Sequence, residues 1–159
     1  LNMYVISEDK FGKLTTTNDT IKSNLKTWLN QYRMINDTVD ILDAYIINVG
    51  IEFVVRATTE ADKFNLLALC VRTLQEHYKT RFYIGEPLYI SDIYGVLKNV
   101  TGVLDVMSVK ITNKTDSQYA GTHLDINSNM SPDGGYIIAP ANAIFEVKFP
   151  EVDIRGKIR

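Results

Sequence analysis

The chain has 159 residues, 45% apolar and 23% charged, with 17 Lys and Arg against 19 Asp and Glu for a formal charge of −2. Those proportions belong to an ordinary globular domain with enough apolar material for a core, and no basic run favours a phosphate backbone, so nucleic acid is not an expected partner. No apolar run nears the roughly 20 residues a membrane helix needs, so no membrane is expected, and one cysteine, Cys70, cannot close an internal disulfide.

The opening Leu1-Asn2-Met3 reads as a piece of a longer protein. Residues 3–6 suit a short strand, and a polar, turn-rich stretch follows to Asp19. From Thr20 to Arg33 the spacing predicts a helix: Ile21, Leu25, Trp28, Leu29 and Tyr32 form one stripe, with Asp19 as N-cap. Such a stripe is expected to cover a sheet. A turn at Asn36-Asp37 leads to a long strand, Ala44 to Arg56. There Tyr45, Ile47, Val49, Ile51, Phe53 and Val55 alternate with Asn48, Gly50, Glu52 and Arg56, so one face is core and the other polar.

A second helix is predicted from Glu60 to Tyr78, capped by Thr58 or Thr59, with early acids Glu60 and Asp62 at its positive end. Its stripe is Phe64, Leu67, Ala68, Val71, Leu74 and Tyr78. Leu66, Leu69 and Cys70 widen the apolar surface enough for packing on two sides. Residues 82–90 read as an extended connection broken by Gly85 and Pro87. A third helix is capped by Ser91, carries Ile93, Val96, Leu97 and Val100 on one side, and stops at Gly102; a strand from Val103 to Thr112 follows. Residues 113–135 are poor in apolar side chains and read as a functional arm or one that wraps a neighbour. After the turn Pro132-Asp133-Gly134-Gly135, residues 136–139 and 143–149 suit a β-hairpin, and the tail with Val152 and Ile154 runs extended. The expected fold is α+β: about three helices on a mixed sheet, with residues 1–112 as core, 113–135 as a long polar arm, and 136–159 as a C-terminal hairpin and tail in the same domain.

No catalytic motif for phosphates, dinucleotides, hydrolysis or zinc is present. Cys70 and His77 are seven residues apart, a rise of roughly 10 Å along a helix and too far for thiol activation. Cys70 therefore reads as a small buried hydrophobe, and His77 as a charge near a helix end. Asp125, Asn127 and Asn129 match the opening of a calcium loop with His123 beside them, but Met130 and Tyr136 stand where that loop needs Gly and Glu. A plain polar loop is the expectation. Asp37, Asp40 and Asp43 could pair as acids, yet turn and cap duty explains them more simply. No enzyme activity, metal or cofactor is expected.

The chain also resembles the C-terminal region of baseplate wedge proteins of contractile-tailed phages, within the broader baseplate J-like group. The residues that carry this are a helix followed by Tyr32 to Val39, the strand Tyr45 to Arg56, then a helix, Phe82 to Leu88, Ser91 to Tyr94 and Val100 to Val106. Asp133 to Tyr136 with Phe145 to Pro150 is similar to the wedge proteins of T4-like phages. The likeness spans about residues 20–158 and carries no catalytic role. It implies a structural subunit of the virion tail baseplate, put together in the bacterial host cytoplasm. It also implies a homo-oligomer with dimer contacts in a ring, touching other wedge proteins. Candidate interface residues are Leu66 and Leu69 on the second helix and Tyr119, Leu124 and Ile126 in the arm. The alternatives are a small-ligand-binding or regulatory α+β domain of a larger intracellular protein, and then an enzyme fragment whose catalytic residues lie upstream.

Overall fold

The computed structural model describes residues 1–32, 38–59, 61–79 and 82–159. In chain order the elements are β1 (Asn2–Val5), β2 (Ser7–Glu8), β3 (Leu14–Thr15), α1 (Asp19–Asn30), β4 (Asp40–Asp43) and β5 (Tyr45–Ala57). There follow α2 (Lys63–His77), β6 (Leu88–Tyr89), α3 (Ile90–Lys98), β7 (Val103–Asn113), β8 (Tyr136–Ile137), β9 (Ala143–Glu146), the single turn α4 (Pro150–Asp153) and β10 (Ile154–Ile158). The fold is α+β. The turn expected at Asn36-Asp37, the expected end of the first helix at Arg33 and the expected start of the second at Glu60 lie outside the described residues.

β5 organises the molecule. It pairs antiparallel with β7 along most of its length. On the parallel side β9 takes Tyr45 to Asn48 and β10 takes Ile51 to Val55. Period-2 alternation buries Ile47, Val49, Ile51, Phe53 and Val55, against which α2 and α3 pack to form the core. Three two-stranded pairs surround this sheet: β1 with β4 in parallel, β2 with β3 and β6 with β8 antiparallel.

α2 starts later than its pattern suggests. Asp62 caps it by accepting from the Phe64 N–H at 3.0 Å, while Thr58 sits in a turn with Ala61 and donates its N–H to Gly102. The helix is also rotated part-way from its expected stripe: Leu66, Cys70 and Leu74 are the buried residues, Leu67, Val71 and Tyr78 of the stripe still pack against the core, and Phe64 is 87% exposed. With apolar residues on most of its circumference, two i, i+4 rows competed, and periodicity alone does not choose between them. α3 begins at Ile90 without a side-chain cap. The Gly135 carbonyl accepts from the N–H groups of Ile90 and Ser91 instead, so a distant loop does the work expected of Ser91.

The C-terminal hairpin does not form. β8 pairs with β6 and β9 with β5, so the two expected arms join different sheets. Pro140 accepts from the Ala143 N–H in the intervening turn, and Pro140-Ala141-Asn142 lacks the Gly or Asn-Gly chemistry that closes tight hairpins. Residues 113–135 are not an extended arm either. They fold back over the end of the sheet: the Asn113 side chain bonds the Leu124 backbone at both its amide nitrogen (2.7 Å) and oxygen (3.2 Å), and Ala120 donates to Asn48. Side chain to backbone bonds satisfy a segment that has few apolar residues to bury.

Gly156 in β10 lies flat against the core. A methyl there would collide with the Phe53 ring and come within 2.8 Å of Leu67 Cδ1. Gly156→Ala should therefore lower unfolding free energy by about 1–3 kcal/mol, read as a fall in urea midpoint at unchanged slope; a neutral result would mean β10 is not seated on Phe53.

Candidate functional site

An active site would need some buried polar groups free to meet a substrate. Glu146 on β9 accepts from Asn48 Nδ2 at 2.7 Å and from the Leu14 N–H at 2.8 Å. Asn48 Oδ1 accepts from the Ala120 N–H at 2.8 Å. Asp153, wholly buried, accepts from the Tyr119 hydroxyl at 2.6 Å and the Phe149 N–H at 2.8 Å, with Lys114 Nζ 4.0 Å away. Each carboxylate is engaged in holding segments together. Among the described residues no buried side-chain polar atom lacks a partner.

The candidate chemistry takes ordinary structural roles. Cys70 is buried in the core, and burial pushes its thiol pKa up, away from the thiolate a nucleophile needs. Asp125 accepts from Ser128 Oγ at 2.6 Å and from the N–H groups of Asn127 and Ser128. These bonds, led by the Ser128 hydroxyl, hold its carboxyl below the usual range and close a turn. Among the described residues no three His, Cys, Asp or Glu are grouped to hold a metal ion. Asp43 binds Lys22 at 2.8 Å and Asp40 binds Lys26 at 3.6 Å; Asp37 lies outside the described residues.

Of the five interface candidates, Leu66 and Leu124 are buried within this chain and offer no surface. Leu66 was misplaced because α2 is rotated, and Leu124 because its segment folds back. Ile126 is half-buried against the core, and Tyr119 is half-buried with its hydroxyl on Asp153. Leu69 remains open at 45% exposure.

The surface that sequence reasoning missed is on α1. No residue of this helix is buried. It is fastened to β4 by charge, through Lys22 on Asp43 and Lys26 on Asp40, with Leu25 and Leu29 half-buried. Ile21 and Trp28, each 55% exposed, and Tyr32, 71% exposed, turn outward along the other margin of the stripe. Trp28 and Tyr32 stack obliquely with centroids 4.9 Å apart. The stripe itself was legible, but among the described residues β4 pairs only with β1, so no larger sheet is formed there for α1 to cover. A groove of about 460 Å³ also opens between the outer side of β7 and residues 123–130, with Ile90, Ile111, Ile126 and Met130 in its walls.

No protein-family model matches the chain, and a comparison with curated proteins likewise finds no match.

Burial, then the bond to Asp153 and its charge, push the Tyr119 hydroxyl up to about 12, against about 10 in an unfolded chain. The unfolded state thus loses this proton first, so stability should fall as pH rises from about 10 towards 12. Tyr119→Phe should flatten part of that decline, with Tyr78, raised by burial, and Lys22, raised by its bond to Asp43, contributing to what remains. The variant should also cost about 1–3 kcal/mol at neutral pH by leaving Asp153 short of a donor; urea titrations across pH read both.

Proposed function

We propose that this chain is a structural subunit of a phage tail baseplate wedge, working by self-association and contacts with other wedge proteins, without catalysis. The observation that carries the assembly reading is α1: an amphipathic helix held on by its lysines, with Ile21, Trp28 and Tyr32 left facing solvent. Contiguous apolar side chains cost free energy in water, and aromatic ones are common anchors of protein interfaces. Phe64 and Leu69 on α2 add further exposed apolar area. The resemblance in residues 20–158 supplies the particular assembly: a ring of copies in the virion tail, built in the bacterial host cytoplasm. The polar groups described above are committed to the fold, which suits a part selected for shape and contact.

In sedimentation experiments the chain should form dimers or larger species. Trp28→Glu should weaken that association by about 30-fold or more, a typical loss at an aromatic anchor, without lowering the melting temperature. A monomeric parent chain, or association indifferent to Trp28 and Leu69 charge substitutions, would refute the assembly reading. An antibody to the chain should label the baseplate end of purified contractile tails under the electron microscope; tails free of both label and the chain's peptides by mass spectrometry would remove the baseplate assignment.

A further inference from the structure

The sheet has a second face, opposite α2 and α3, and the fold gathers on it cations that are scattered in sequence. Cross-strand register sets Arg155 of β10, Glu52 of β5 and Lys110 of β7 in one row, and Lys157, Val54 and Ser108 in the next. Arg56 and Asp105 face one another further along, and Arg159 continues the alternation of Arg155 and Lys157. All these charged side chains are exposed. The face holds five of the chain's 17 Lys and Arg and two of its 19 Asp and Glu, a local balance of +3 in a chain of −2, which leaves −5 for everything else. Among the described residues none of these five cations lies within 4 Å of a carboxylate. Glu52 stands between Arg155 and Lys110 in register without pairing to either. A shallow depression of about 320 Å³ over Val54 marks the centre of the face.

The register sets opposite charges across strands, as on an ordinary solvated sheet face, yet no pair closes to 4 Å. Arg155 Nε donates to the Val152 carbonyl at 3.1 Å, and among the described residues the other cations are left available. We propose that this face docks an acidic protein surface. Two features favour protein over nucleic acid. Among the described residues no outward position of β10, β5 and β7 in these rows carries an aromatic ring on which a base could stack. Glu52 puts a carboxylate in the middle of the face, which repels a uniform polyanion but accepts a protein surface with one basic residue among its acids. Alternate residues of a strand stand about 6.8 Å apart, so an extended acidic segment matches the spacing of Arg155, Lys157 and Arg159. The inference is independent of the baseplate reading, since none of the residues it uses belongs to α1.

The test is fluorescence anisotropy at low ionic strength with a labelled peptide, Glu-Thr-Glu-Thr-Lys-Thr-Glu-Thr-Glu, and an oligothymidylate as comparison. The peptide should bind the whole chain more tightly than the oligonucleotide does. Lys110→Glu with Lys157→Glu should weaken peptide binding about tenfold or more, as charge reversals at a complementary face do, and Lys110→Gln with Lys157→Gln should weaken it less. Glu52→Gln should shift preference towards an all-glutamate peptide. Trp28→Glu should leave peptide affinity unchanged, which separates this face from self-association. Absent peptide binding, tighter oligonucleotide binding, or indifference to reversal in a variant that melts normally would each overturn the proposal; so would loss of self-association in the double reversal, which would make the face a contact between copies.

Discussion

The structure turns on one buried amide–carboxylate pair. Asn48 and Glu146 face each other across β5 and β9, and between them they hold Leu14 from the N-terminal hairpin and Ala120 from the 113–135 segment. Four stretches far apart in sequence, around Leu14, Asn48, Ala120 and Glu146, therefore meet at two side chains. Inside a protein such a network is strong when complete and expensive when broken, so each stretch is fixed by the presence of the others. A second knot, Asp153 with Tyr119 and the Phe149 N–H, pins the same segment where β10 begins. Together they explain how a region nearly without apolar residues stays ordered on the sheet.

Much of the architecture was legible because it rests on local pattern. β5 alternates from Ile51 onward, although Tyr45, expected on the core face, is exposed and residues 46–51 are all buried. β7 ends where Asn113 begins a polar stretch, and α3 keeps Ile90, Ile93 and Leu97 buried. What was not legible depends on partners distant in sequence. Asn48 reads as a polar residue on a solvent face until Glu146 is placed beside it. Gly135 reads as part of a turn, yet its carbonyl caps α3. The apolar stripe of α1 was correctly located, and only its covering was wrong, since a stripe records that something apolar is wanted without saying whether this chain provides it. The same holds for the basic face: Arg56, Lys110, Arg155 and Lys157 make no run in sequence and become neighbours only through register.

Two faces with different physics follow from one sheet. On the helix-covered side, burial of alternate residues of β5 fixes the core. On the other, the same alternation leaves charge outward, which tunes encounter and selectivity more than strength. α1 stands apart from both, tied by ion pairs that salt weakens while its apolar margin gains from salt that salts out hydrocarbon. Salt thus loosens the attachment of the helix while it raises the cost of leaving its apolar margin in water.

The order in which β5 gains its neighbours has a kinetic meaning. Ile154 pairs with Ile51 about 100 positions away, so the seat beside β5 is filled by one of the most distant contacts in the chain, and contacts of that separation form slowly because loop closure comes before any gain. On a ribosome, β5, α2 and α3 would emerge with that seat empty and its backbone groups unpaired. An open strand edge of this kind can accept the same segment from a neighbouring nascent chain. Synthesis on closely spaced ribosomes therefore sets a competition between completing the sheet from within and exchanging strands between copies.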